Sequence, residues 1–328
     1  MKRSRDDGSP TARQFIEERN EGDKLVRNSP YGSLRSVKGW GSPFQKPVRC
    51  VVEQRPSIHI GISSLNGVPG KDRDMGRLLE QYRRKFNALE HCNPYHRMGD
   101  EQHWRAWGKM VENSNFIYAV KANQYLTHTR MLQMDEELDL HMRNFFEDRC
   151  PMLGTHLGPV LIQLPPQFHM TSEHLDRIRA VASRMPSFIR VAVEFRHRSW
   201  FCEEAYGVLR SCKWALVVTH NEDIGESPVI DTGVGFMYVR LHGAVGRYVG
   251  DYGPVAMEKW ADEILRFTSE GHSREVYFFF NNNESHINGL CSSVVDATCL
   301  AEHLSSKLCP KAEPGAPHST DPAVVEIE

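Results

Sequence analysis

The run Ile189-Arg190-Val191-Ala192-Val193-Glu194-Phe195-Arg196-His197 decides the reading of this chain: a β-branched, largely apolar stretch that turns charged at its end. Valine and isoleucine favour the pleated backbone. A strand apolar on both faces is expected where helices cover both sides of a parallel sheet. Seven other stretches share the pattern, giving strands over 58–63, 86–92, 116–121, 158–164, 189–196, 214–220, 236–242 and 275–281. The segments 73–85, 101–113, 135–149, 172–184, 202–212, 256–270 and 292–308 carry helical spacing and good helix formers. Ser172 and Pro254 stand where helices start. Only 221–235 lacks a helix, being broken by Gly225, Pro228, Gly233 and Gly235. Parallel strands need crossovers, and this alternation over about 250 residues predicts an α/β protein built as a single (β/α)8 barrel. An open doubly wound sheet is the alternative, although no Gly-x-Gly-x-x-Gly follows the first strand.

Composition narrows the function classes. Lysine and arginine number 40 against 42 aspartates and glutamates, a net charge of -2 that argues against a protein whose main task is coating nucleic acid. No run is long and apolar enough for a membrane helix, and Met1-Lys2-Arg3-Ser4-Arg5-Asp6-Asp7 opens no secretory signal. The expected compartment is the cytoplasm, with the Lys2–Arg5 cluster leaving the nucleus as the alternative. The eight cysteines contain no Cys-x-x-Cys pair and read as reduced, packed thiols rather than zinc ligands. Residues 1–55 read as a disordered or loosely docked extension, 56–309 as the barrel, and the proline-rich 310–328 as a disordered tail.

In such barrels the chemistry sits at the C-terminal strand ends. The predicted ends carry Glu90, Lys121, Gln163, Glu194 with Arg196, His220, Arg240 with His242, and Asn281 with Asn282. Alternate residues of a strand share a face. Placing the aliphatic residues toward the helices turns Glu90, Lys121, Glu194, Arg196, Arg240 and His242 into the mouth, where burial requires them to pair. Glu90, Lys121, Glu194 and His242 are the catalytic candidates, while Gln163, Arg196, Arg240, Asn281 and Asn282 are the substrate-binding ones. A Schiff-base role for Lys121 is an alternative. His242 with Glu90 and Glu194 could bind a divalent metal, but no His-x-His or Glu-x-x-His spacing supports it, so no metal ligand is assigned. Trp104, Trp107, Trp200 and Trp260 read as packing anchors, and His128, His141, His156 and His169 as surface or capping residues.

Five ordered motifs carry a family resemblance. They are Ala119-Val120-Lys121-Ala122-Asn123 with Tyr125-Leu126-Thr127-His128, the run from Gly158-Pro159-Val160 through Gln163-Leu164-Pro165-Pro166, Val193-Glu194-Phe195-Arg196-His197-Arg198-Ser199-Trp200, Tyr238-Val239-Arg240-Leu241-His242-Gly243, and Val276-Tyr277-Phe278-Phe279-Phe280-Asn281-Asn282. The chain resembles the DUF72 (YecE-like) family, which implies a TIM-like barrel and no particular activity. It departs from the family at Ser63-Ser64-Leu65, where a Ser-Gly-Trp-like turn is usual. It departs again at Cys92-Asn93-Pro94-Tyr95-His96, in place of Asn-Ser-Thr-Phe-Tyr, and at Asn283, in place of aspartate.

The leading expectation is therefore an enzyme (hydrolase, lyase or isomerase) acting on a small anionic or polyhydroxylated molecule held by Arg196, Arg240 and Lys121. Glu90 or Glu194 would act as general base and His242 as acid or second base. The alternatives are a nucleic-acid-processing protein and a non-catalytic ligand-binding barrel.

Overall fold

The computed structural model describes residues 57–65, 75–271 and 274–309. The extension expected over 1–55 and the tail over 310–328 lie outside the described residues. Eight parallel strands form the wall: β1 (Ser57–Ile62), β2 (Ala88–His91), β3 (Ile117–Lys121), β4 (Leu157–Gln163), β5 (Val191–Glu194), β6 (Ala215–Asn221), β7 (Phe236–Leu241) and β8 (Glu275–Phe280). Each strand lies where the alternation places it. Hydrogen-bonded neighbours run β1-β8-β7-β6-β5-β4-β3-β2, so the sheet curls round until β2 meets β1. The outer layer includes α1 (Met75–Arg83), α2 (the four-residue turn Asn93–His96), α3 (Glu101–Met110), α4 (Glu136–Met142), α5 (Ser172–Arg184), α6 (Glu203–Cys212), α7 (Gly253–Ser269) and α8 (Ser292–Leu308). Asp100, Asp135 and Thr171 cap α3, α4 and α5 through their side chains. The helix expected over 135–149 ends at Met142 and continues as a π-helix, Arg143–Arg149. The link 221–235 holds no helix, only the two-residue strand Gly225–Glu226 paired antiparallel with β6.

The seam between β1 and β2 has no ladder and is closed by side chains. Asn87 Oδ1 accepts from Ile60 N at 2.9 Å, and its Nδ2 donates to Ile58 O at 2.8 Å. Tyr82, fully buried, accepts from Ile62 N at 2.9 Å and donates to Ala88 O at 2.6 Å. This close approach requires glycine at 61, where a Cβ would stand 2.1 Å from Ala88 O and 2.7 Å from the Tyr82 hydroxyl. Gly61→Ala is expected to destabilise the protein by about 1–3 kcal/mol through strain at two backbones that cannot both yield, read as a lower urea midpoint at unchanged slope.

Inside the ring the pleat sets two layers. Ala88, Ala119, Leu161, Ala192, Val217, Tyr238 and Phe279 pack against one another in the interior. The small residues on β2, β3 and β5 leave room for the aromatics of β7 and β8. Two residues further along the same faces stand Glu90, Lys121, Gln163, Glu194, Thr219, Arg240 and Asn281. An apolar floor thus carries a polar storey, as the alternation predicts. No helix among the described residues is long and apolar enough to cross a membrane.

Candidate functional site

Arg240 is the centre of the polar storey. It is 1 % exposed; its Nε donates to Glu90 Oε1 at 2.8 Å and its Nη2 to Glu90 Oε2 at 2.7 Å, a two-point clamp. Its Nη1 reaches Glu194 Oε2 at 2.5 Å and Gln163 Oε1 at 3.4 Å. The Tyr238 hydroxyl adds a bond to Glu90 Oε1 at 2.8 Å. Glu194 also pairs with Arg196, whose Nε lies 2.5 Å from Oε1 and whose Nη1 donates to Asp223 at 3.2 Å. Burial alone would raise the Glu194 carboxyl, but Arg196 and Arg240 outweigh it and hold it well below the usual carboxylate range. Burial opposes the charge on Arg240 too, and Glu194 and Glu90 more than restore it. Both guanidiniums predicted to grip a substrate are thus committed to the protein's own carboxylates.

His242, 2 % exposed, is also engaged. Arg196 Nη2 lies 3.1 Å from its Nε2. The ring Nδ1 faces Asn281 Nδ2 at 3.0 Å, and Glu194 Oε1 lies 3.4 Å from Nε2. Guanidinium and amide nitrogens both only donate, so a neutral ring accepts from one of them and turns its own N–H toward the other side. Burial, and then Arg240, push the imidazole down to about 3, so the ring is neutral at neutral pH.

Lys121 differs from these. Its Nζ donates to Gln163 Oε1 at 2.8 Å and lies 4.0 Å from the centroid of the Tyr95 ring. Among the described residues no carboxylate forms an ion pair with it. Burial, and then Arg240, lower the amine to about 8 against the partial opposition of Cys92, Glu194 and Glu90. Glu90 and Glu194 are matched by Arg240 and Arg196, and Arg196 also reaches the more exposed Asp223, so Lys121 is the basic group of the mouth that no carboxylate pairs with among the described residues. A cavity of about 460 Å³ opens beside it, with Ser63, Glu90, Cys92, Arg240, Tyr248 and Asn281 on its wall. Burial pushes the Cys92 thiol up to about 12, and Glu90 adds to this, so the thiol is protonated.

Glu90, Lys121, Gln163, Glu194, Arg196, Arg240, His242 and Asn281 therefore converge at one end of the barrel. Asn282 does not face the mouth. It is fully buried behind the rim, and its Nδ2 donates to Gly250 O at 2.9 Å and Asp296 Oδ2 at 2.7 Å. The next residue of an extended strand end points to the opposite face. His220 likewise turns outward to the Tyr252 hydroxyl at 2.8 Å. Among the described residues no group of three His, Cys, Asp or Glu side chains is arranged to hold a metal, and Arg240 stands between Glu90 and Glu194.

Composition concealed part of the wall. Tyr95, on α2, forms an edge-to-face contact with His128, which is half-buried beside the mouth rather than on the surface. Tyr248, in the loop after β7, faces the Tyr95 hydroxyl closely enough to raise it further, burial being the larger cause. The motif Pro94-Tyr95 after β2 was the available signal, because it replaces the family's aromatic at the same strand end.

These features define a TIM-like barrel that holds a buried, self-neutralised charge network under its C-terminal mouth. The chain matches the family described as "Protein of unknown function DUF72" over residues 64–318, and it belongs to that family. It is 25% identical over 230 residues to UPF0759 protein YunF of Bacillus subtilis (strain 168), a match spanning 62% of this chain and 80% of the relative. Two solved structures share the fold. A DUF72 family protein of Enterococcus faecalis V583 superposes with a TM-score of 0.64 at 18% identity, covering 76% of this chain and 95% of its own. A DUF72 family protein of Thermotoga maritima MSB8 gives 0.62 at 22% identity, covering 76% and 99%.

Proposed function

We propose that the mouth binds a small anionic molecule and that the protein is an enzyme moving a proton on it, with Lys121 as the acid–base group. One observation carries this reading: Lys121 lies on the cavity wall with an amide oxygen and an aromatic ring as its contacts, while guanidiniums hold both carboxylates beneath it. The ammonium form attracts a carboxylate or phosphate. The neutral form, accessible for an amine near pH 8, can take a proton from a carbon or hydroxyl beside a carbonyl, which is isomerase or lyase chemistry. Arg240 is then the buried counter-charge that clamps Glu90, helps hold Glu194 ionised and keeps Lys121 depressed, and His242, Arg196 and Asn281 position that network. Gln163 and Asn281 supply polar partners for hydroxyl groups.

The test is thermal stabilisation by inorganic phosphate, citrate and hexose phosphates. An anion at a hundred times its Kd should stabilise the wild-type protein by about 2.7 kcal/mol. That gain should decline as pH rises through about 8, because the binding form of Lys121 is the protonated one. Lys121→Met should abolish the gain. Stabilisation that is independent of pH across this range, or full retention in Lys121→Met, removes Lys121 from the role.

A further inference from the structure

The cavity does not end inside the barrel. Above the Tyr82 and Asn87 clasp, β1 and β2 share no ladder, and the same cavity is lined by Ser63 and Ser64 after β1 and by residues on both faces of β2. Glu90 belongs to the interior face, whereas Leu89 and His91 belong to the face turned toward the helices. The opening therefore leads from the mouth into a sleeve between β2 and the helices outside it. Leu79 of α1, Trp107 and Met110 of α3, Leu89 and Tyr118 make that sleeve apolar.

The Tyr118 hydroxyl there donates to Trp107 O at 3.3 Å, whereas one polar atom has no partner among the described residues. His91 is 7% exposed, its ring stands edge-on to Trp107 with centroids 3.8 Å apart, and that atom is its buried Nε2. Buried polar atoms are costly to leave unpaired, and an apolar pocket with a single convergent polar group is a common form of specificity site. Burial pushes this imidazole down to about 3, so the ring is neutral and offers a hydrogen bond rather than a charge. The acid–base chemistry of Lys121 makes no use of it.

We propose that the cavity takes an anion with an apolar tail: the head at Lys121, the tail in the sleeve outside β2, and a hydroxyl or carbonyl of the tail on His91 Nε2. The head position rests on the anion reading of Lys121; the sleeve and its imidazole stand independently of it. The volume of about 460 Å³ accommodates such a molecule whole.

Calorimetric titration of the full-length protein with acetate, butyrate, hexanoate and octanoate, and with the matching 1-alkanols, tests this. Affinity should rise about fourfold per added methylene until the sleeve is filled. Lys121→Met should weaken every carboxylate by a common factor and leave the alkanols unchanged. At least one monohydroxyoctanoate should bind more tightly than octanoate, and His91→Phe should erase that preference. Affinity flat from acetate to octanoate overturns the sleeve while leaving an anion site at Lys121. Alkanols that bind as tightly as carboxylates overturn the head at Lys121 while leaving the sleeve. The length series on the wild-type protein is decisive even if a variant fails to fold.

Discussion

Arg240→Leu is expected to lower stability by about 3–5 kcal/mol, because it strands two buried carboxylates at once. Glu90 loses its two-point clamp and Glu194 loses one of its two guanidiniums, in a site where all three side chains are at most 1% exposed. The deficit should be largest at neutral and alkaline pH and should shrink in acid, where the stranded carboxyls take up protons and become neutral. Adding Glu90→Gln and Glu194→Gln should recover most of the loss, since an uncharged cluster needs no counter-charge. Urea unfolding of the single and triple variants at pH 5 and 8 is the measurement. A single variant within about 1 kcal/mol of the wild type at pH 8 contradicts a charge-balanced storey.

The second large effect is acid lability. Burial lowers His59 and His128 to about 4, and His91 and His242 to about 3, each from the ordinary 6.5. Below about pH 6.5 the unfolded chain protonates these rings and the folded chain does not, so stability falls as pH falls through this window. Asp296 opposes the trend, because burial raises it to about 7 and in the same window the folded state holds a proton that the unfolded state releases. Four protons against one leave about three taken up on unfolding, a slope of up to about 4 kcal/mol per pH unit between roughly pH 6 and 4, the half-buried His128 contributing less than the others. Urea midpoints across that range measure it, and His91→Phe should flatten the slope by about a third. A slope of zero or of opposite sign would show that the imidazoles are charged in the folded protein.

Much of the architecture was legible because its causes are local. Period-two alternation placed Ala88 with Glu90, Ala119 with Lys121, Ala192 with Glu194 and Tyr238 with Arg240 on shared faces, and the packed interior keeps those pairs. Position at a strand end does not by itself give the face. Asn282 follows Asn281 but adjacent residues diverge, and His220 stands near the end of β6 while its neighbour Thr219 holds the inward position. The loops were harder to read. Tyr95 and His128 belong to turns whose direction depends on packing against another strand end, so the aromatic at Pro94-Tyr95 signals a wall residue without giving the partner it meets.

The amino-acid order by itself determined the eight strands, the face each residue takes and the set of charged groups that would share one end of the ring, since pleat and propensity act over a few residues. Only the closed tertiary structure decided that Glu90 pairs with Arg240 across 150 positions of chain, that no carboxylate among the described residues pairs with Lys121, and that the seam at β1 and β2 leads to His91. Ion-pair choice and desolvation depend on distances through space, and those distances exist only once the barrel has closed.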